Sequence, residues 1–135
     1  MRFPIKITEQ FLMEAILRTF GAGPAQSWVE LGPDSLEVQM GIWFHETFSL
    51  SVVSGLGPAE WPWWGGLGVK LYHHGIGIVG STENVVNVRF KTPQKARAVV
   101  KVDCEQLWIS LVDRDGFLSA LSEKTKLPIS ALLPF

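Results

Sequence analysis

The sequence predicts a mainly β fold with a helix near each end, closed into an antiparallel barrel or strongly bent sheet. Three observations carry that prediction. Apolar residues alternate with polar ones over short stretches, most clearly at Leu36, Val38 and Met40 and at Val86, Val88 and Phe90. Turn residues punctuate those stretches, and eight of the 13 glycines fall between Gly55 and Gly80. Helical spacing is confined to the ends: Phe11, Leu12, Ala15, Ile16 and Phe20 at one, Phe117, Leu118 and Leu121 at the other.

Each element has a local reason. Phe3 to Ile7 is a short extended segment. Thr8 is placed to cap an amphipathic helix of about three turns, with Glu9 in its first turn and Glu14 and Arg18 paired on its polar face. Gly21 and Gly23-Pro24 stop it. The period then switches to two. Trp28 and Val29 belong to a strand ending near Leu31, and Gly-Pro-Asp-Ser at 32–35 forms a turn in which Pro sets φ and Asp bonds the local backbone. Leu36 to Met40 is a half-buried strand, and Trp43 to Leu50 is the next, extended by Ser51 to Gly57 until Gly57-Pro58 breaks it.

Further on, Val69 and Leu71 share one face of a strand, with Lys70 and Tyr72 on the other. His74-Gly75 is a turn, Ile76 to Val79 a short apolar strand, and Gly80 to Asn84 another turn. The strand of Val86, Val88 and Phe90 ends at Thr92-Pro93, and Leu107 to Val112 is the last. Asp113 caps the closing helix, Lys124 and Lys126 suit its final turn, and Pro128 stops it. The chain thus divides into an N-terminal extension and helix (1–24), a barrel with its closing helix (25–126) and an apolar tail (127–135).

At 135 residues, 47% of them hydrophobic, one domain can bury a substantial core. No uncharged apolar run approaches the roughly 20 residues that span a bilayer. Glu14 and Arg18 interrupt the N-terminal apolar stretch, which argues against a signal peptide. The single Cys104 excludes an internal disulfide and a cysteine metal cluster. Elimination places the chain in a cytoplasm. Its net charge of −1 gives no global drive toward nucleic acid. Residues 1–67 carry a net of −4 and residues 68–135 a net of +3, a polarity suited to head-to-tail association.

The order of elements resembles a pleckstrin-homology-like barrel capped by a C-terminal helix, as in uncharacterised bacterial proteins of that architecture. The likeness is carried by Ser27-Trp-Val-Glu-Leu31, Gly41-Ile-Trp-Phe44, Gly66-Leu-Gly-Val69, Ile78-Val-Gly-Ser81, Val88-Arg-Phe90 with Pro93, and Leu107-Trp-Ile-Ser-Leu-Val-Asp113. These motifs are short and largely structural. Lipid-binding members of the wider superfamily place Lys and Arg around the first hairpin, where this chain has Leu31-Gly-Pro-Asp-Ser35. They also carry a Trp in the closing helix, which residues 113–126 lack. Phosphoinositide recognition is therefore not implied, and the resemblance supplies no catalytic or ligand-binding residue.

The residues offer little convergent chemistry. His73 and His74 are adjacent and point to opposite faces of a strand, and His45 and Glu46 share that defect, so no metal or other cofactor is expected. Ser54 and Ser81 lie outside a nucleophile elbow. Asp103 and Glu105 flank Cys104 and should raise its pKa, the wrong direction for a reactive thiolate. The glycines form neither G-x-G-x-x-G before a helix nor a P-loop. A basic set, Arg89, Lys91, Lys95, Arg97 and Lys101, shares one strand parity and forms a positive stripe if adjacent; a solvated sheet face is the plainer explanation.

The most distinctive stretch is Trp61-Pro-Trp-Trp-Gly-Gly-Leu-Gly-Val-Lys70. Three uses are open to it. The indoles of Trp61, Trp63 and Trp64 plug an end of the barrel, contact a partner, or stack on a small ligand with Lys70 and Tyr72 beside them. The predicted function is a non-enzymatic protein-interaction module that self-associates. The alternative is a barrel that binds a small ligand or anionic lipid headgroup through the Trp-rich loop. Protein, including a second copy, is the expected partner; nucleic acid, membrane and metal are not.

Overall fold

The computed structural model describes residues 1–7, 27–41, 44–62, 68–72, 74–98 and 100–130. The helix expected over residues 9–20 lies outside them.

Alternation builds the first sheet. β2 (Ser27–Leu31), β3 (Ser35–Met40) and β4 (Phe44–Ser49) bury Val29, Leu31, Leu36, Val38, Met40, Phe44 and Phe48 on one side. Glu30, Glu37, Gln39 and His45 take the other side. β1 (Arg2–Pro4) pairs with β2, which gives the antiparallel order β1-β2-β3-β4. The chain leaves this sheet at Ser49, whose Oγ accepts from Ser51 N at 3.3 Å and caps a single 3-10 turn over Leu50–Val52. Ser51 to Gly57 therefore does not extend β4. The turn redirects the chain, and β5 (Val53–Ala59) opens a second sheet.

β6 (Gly68–Tyr72), β7 (Gly75–Val79), β8 (Val85–Ala98) and β9 (Val100–Ser110) complete that sheet in the order β5-β8-β9-β7-β6. β7 runs parallel to β9, so the sheet is mixed and not wholly antiparallel. β8 does not stop at Thr92-Pro93. The β8–β9 register shifts between Arg89 and Gln94, and Pro93, which has no N–H to give, falls inside that interruption.

Asp113 caps α1 (Arg114–Thr125) by accepting from Gly116 N at 3.0 Å. Lys126 ends it in the left-handed conformation, φ 61°, with its N–H on Ser122 O. One core joins the inner faces of both sheets to Phe117, Leu118 and Leu121 of the helix. Phe48 of β4 stacks on Phe90 of β8 at 4.9 Å, and Phe3 of β1 meets Phe117 edge-on at 5.3 Å.

Among the described residues two sheets, one of them mixed, and the C-terminal helix thus stand in place of the antiparallel barrel or strongly bent sheet that the sequence suggests. The seams show why closure fails. Where β4 approaches β8, the Arg97 N–H bonds the Glu46 carboxylate at 3.1 Å, so a side chain stands where a ladder would need a carbonyl. On the other side, among the described residues, the segment after β1 crosses as isolated bridges, Ile5↔Leu111 and Ile7↔Gly80, with Lys6 N on Ser110 O at 2.8 Å, and not as a continuous ladder. Among the described residues no helix is long and apolar enough to cross a membrane.

Candidate functional site

Residues 60–67 carry the chain from β5, at one edge of the second sheet, to β6 at the other. The change of sheet comes earlier, at Leu50–Val52. Trp61 lies on the sheet face that points away from the main core and is 4% exposed. Its ring packs on Trp108 at a centroid distance of 6.0 Å, and Ala59, Val79 and Val85 complete this second, smaller core. β7 is shaped for the arrangement. A Cβ at Gly77 would lie 2.5 Å from the Trp61 ring, and one at Gly75 would meet Gln106 O at 2.3 Å and Trp108 at 2.9 Å.

Trp61 is therefore buried in packing and is not exposed at a surface. Trp63 and Trp64 lie outside the described residues. Lys70 is exposed on β6, and Tyr72 ends the same strand. No barrel mouth brings Trp61 to the surface beside them. Leu71, between Lys70 and Tyr72, is 56% exposed although its neighbour on the same strand parity, Val69, packs against the core.

The five basic residues do not form one stripe. Arg89 folds over Gly55 of β5, where an added Cβ would meet its guanidinium at 2.6 Å, and its Nη2 reaches Ser130 O at 3.4 Å. Lys91 turns into a cleft beside the end of α1. Beyond the register shift, Lys95 is ion-paired with Asp103, while Arg97 and Lys101 are directly cross-strand and exposed. The bulge at Pro93 is what parts the two groups.

His45 bonds Glu37 at 2.5 Å, and Trp28 meets its ring edge-on at 6.2 Å; Arg2 covers Trp28 at 4.1 Å. His74 sits in the β6–β7 turn with φ 57°, its ring 3.8 Å from Glu105. His73 lies outside the described residues. Among the described residues no three His, Cys, Asp or Glu side chains converge on a metal-sized site. Cys104 is buried, and burial pushes its thiol up to about 11, with Glu105 and Glu46 adding to the shift. Desolvation thus leads, and the neighbouring carboxylate seen in the sequence is a smaller contributor. No protein-family model, curated protein or solved structure matches this chain. The pleckstrin-homology-like resemblance rests on its short motifs alone.

Two features escape sequence reasoning. One is the outer edge of β6, unpaired among the described residues, because edge and centre are properties of the strand order. The other is the cleft at Lys91, whose walls come from four separated segments: the β2–β3 turn, residues 49–53, β8 and residues 124–127.

Proposed function

We propose that this chain is a non-enzymatic interaction module that pairs with a second copy of itself through β6. The observation that carries the reading is an edge strand with an exposed leucine and nothing paired beyond it among the described residues. A strand edge offers a row of unused N–H and C=O groups, and proteins ordinarily blunt such rows. The other three edges are managed here. β5 has Pro58, which gives no N–H, and receives the tail through the Leu56↔Ile129 bridge and Ser130 N to Leu56 O at 2.9 Å. β4 meets β8 through Glu46, and β1 runs on into the segment bonded to Ser110 and Leu111. β6 has only Lys70.

Side-chain parity favours a two-fold antiparallel pair. Opposite residues in such a pair share a face, so the symmetric centre must fall on a residue. Centring on Lys70 sets two lysines against each other, which is destabilising. Centring on Leu71 buries the two exposed leucines together and moves Lys70 opposite position 72 of the partner strand. A five-residue edge is only about 17 Å long. The contact buries less than the roughly 1,200 Å² of stable complexes, so the dimer is weak, with Kd on the order of micromolar.

Sedimentation velocity across a concentration series tests this. The full chain shifts from monomer to dimer as concentration rises, and Leu71→Lys stays monomeric with an unchanged melting curve. A full chain that is monomeric at several hundred micromolar removes the proposal.

A further inference from the structure

An open cleft of about 520 Å³ lies where the β2–β3 turn, the 3-10 turn, β8 and the end of α1 come together. Its apolar surface is Pro33, Leu50, Val53 and Leu127, of which Leu50 and Val53 are buried. Its polar groups are Lys91, Lys124, Asp34 and the hydroxyls of Ser49, Ser51 and Thr125. Thr125 is committed, donating to Leu121 O at 2.7 Å. Ser49 and Ser51 bond each other at 2.8 Å, which leaves donor and acceptor capacity on that pair.

The charges are unequal. Lys91 and Lys124 reach the cleft from different elements, and neither makes an ion pair among the described residues. Among the described lining residues Asp34 alone opposes them, leaving one positive charge in excess there; the last carbonyls of α1 reduce that excess without cancelling it. Two lysines lining one cleft with an apolar floor, with hydroxyl capacity beside them, suit an anionic head on an apolar body. The cleft lies beside β5, and β6 is at the opposite edge of the sheet, so this site is independent of the pairing edge.

We propose that the cleft binds a small anion, a phosphate or carboxylate group carried on a short apolar body, between Lys91 and Lys124. Lys124 also complements the C-terminus of α1, while Lys91 has no such structural partner.

Amide chemical shifts of the full chain test the site, titrated separately with inorganic phosphate and with hexanoate against sodium chloride at matched ionic strength. Binding gives saturable shifts at Asp34, Ser49, Ser51 and Lys91 beyond the chloride control. Saturation by phosphate alone identifies a phosphate ester as the natural class, and by hexanoate alone a carboxylate. Apparent affinity falls roughly ten-fold in Lys91→Gln/Lys124→Gln, as loss of charge-assisted bonds requires. In Asp34→Asn it rises about three-fold, because the opposing charge is gone. Lys91→Gln alone, on an exposed strand position, keeps the test valid where the helix substitution disturbs folding. Shifts no larger than chloride's for both anions, or affinity unchanged by Lys91→Gln, overturn the proposal.

Discussion

Gly77 carries no side chain because the ring of Trp61 occupies the place a Cβ would take, 2.5 Å away. This pair explains how Trp61 seats on β7. Gly77→Ala forces the indole outward and lowers stability by about 1–3 kcal/mol, while Trp61→Ala leaves a cavity costing about 3–5 kcal/mol. Urea unfolding checks both. Cys104 gives a pH prediction. Its folded pKa of about 11 lies above the roughly 8.5 of an unfolded thiol. The unfolded chain therefore releases its proton first, so this contribution to stability is complete below about pH 8.5 and is lost as pH rises toward 11. Cys104→Ala should flatten that part of the stability profile, and a disulfide reagent at pH 8 should label wild-type Cys104 only as fast as the chain opens. The direction of the thiol shift was legible from Asp103 and Glu105, but its main cause was not. Burial depends on β7, whose Ile76 reaches the thiol from elsewhere in the chain. Trp61 was hidden for the same reason: in a Gly-rich run it reads as much like surface as core, and it becomes core only once β7 and β9 lie beneath it.

Elements whose signals are local were the most readable. α1 begins at the Asp113 cap and ends near Lys126, both visible in sequence, and Asp113→Ala should cost about 1 kcal/mol in thermal or urea unfolding. Strands β2 and β3 follow from strict alternation around a Pro-Asp turn. The errors fall where a neighbour decides. Pro93 reads as a strand end, yet β8 absorbs it because β9 shifts register there. Ser51 to Gly57 reads as a continuation, yet the Ser49–Ser51 cap turns the chain into the other sheet. The tail is similar: Ile129 is paired with Leu56 of its own chain. Truncation after Lys126 should leave dimerisation intact, since β6 is untouched, while freeing Arg89 and exposing β5. Sedimentation of the truncated chain decides whether the tail or β6 holds the pair.

At the scale of the whole molecule, a mainly β class was legible and closure was not. Period-two alternation reports one buried face per strand, and both a barrel and a pair of open sheets satisfy it. Closure depends on whether edge strands find ladder partners, which here turns on Glu46 meeting the Arg97 N–H and on the crossing from β5 to β6. Open sheets have edges, and edges need covering or pairing. Among the described residues three of the four are dealt with inside the chain, and the fourth, β6, is the one proposed to pair with a second copy. Backbone hydrogen exchange at β6, measured at low and high protein concentration, tests this most directly. Pairing through β6 predicts that those of its amides not bonded to β7 exchange quickly in dilute solution and slow down as the protein is concentrated, with no such change in Leu71→Lys. Exchange at β6 that is independent of concentration would contradict it.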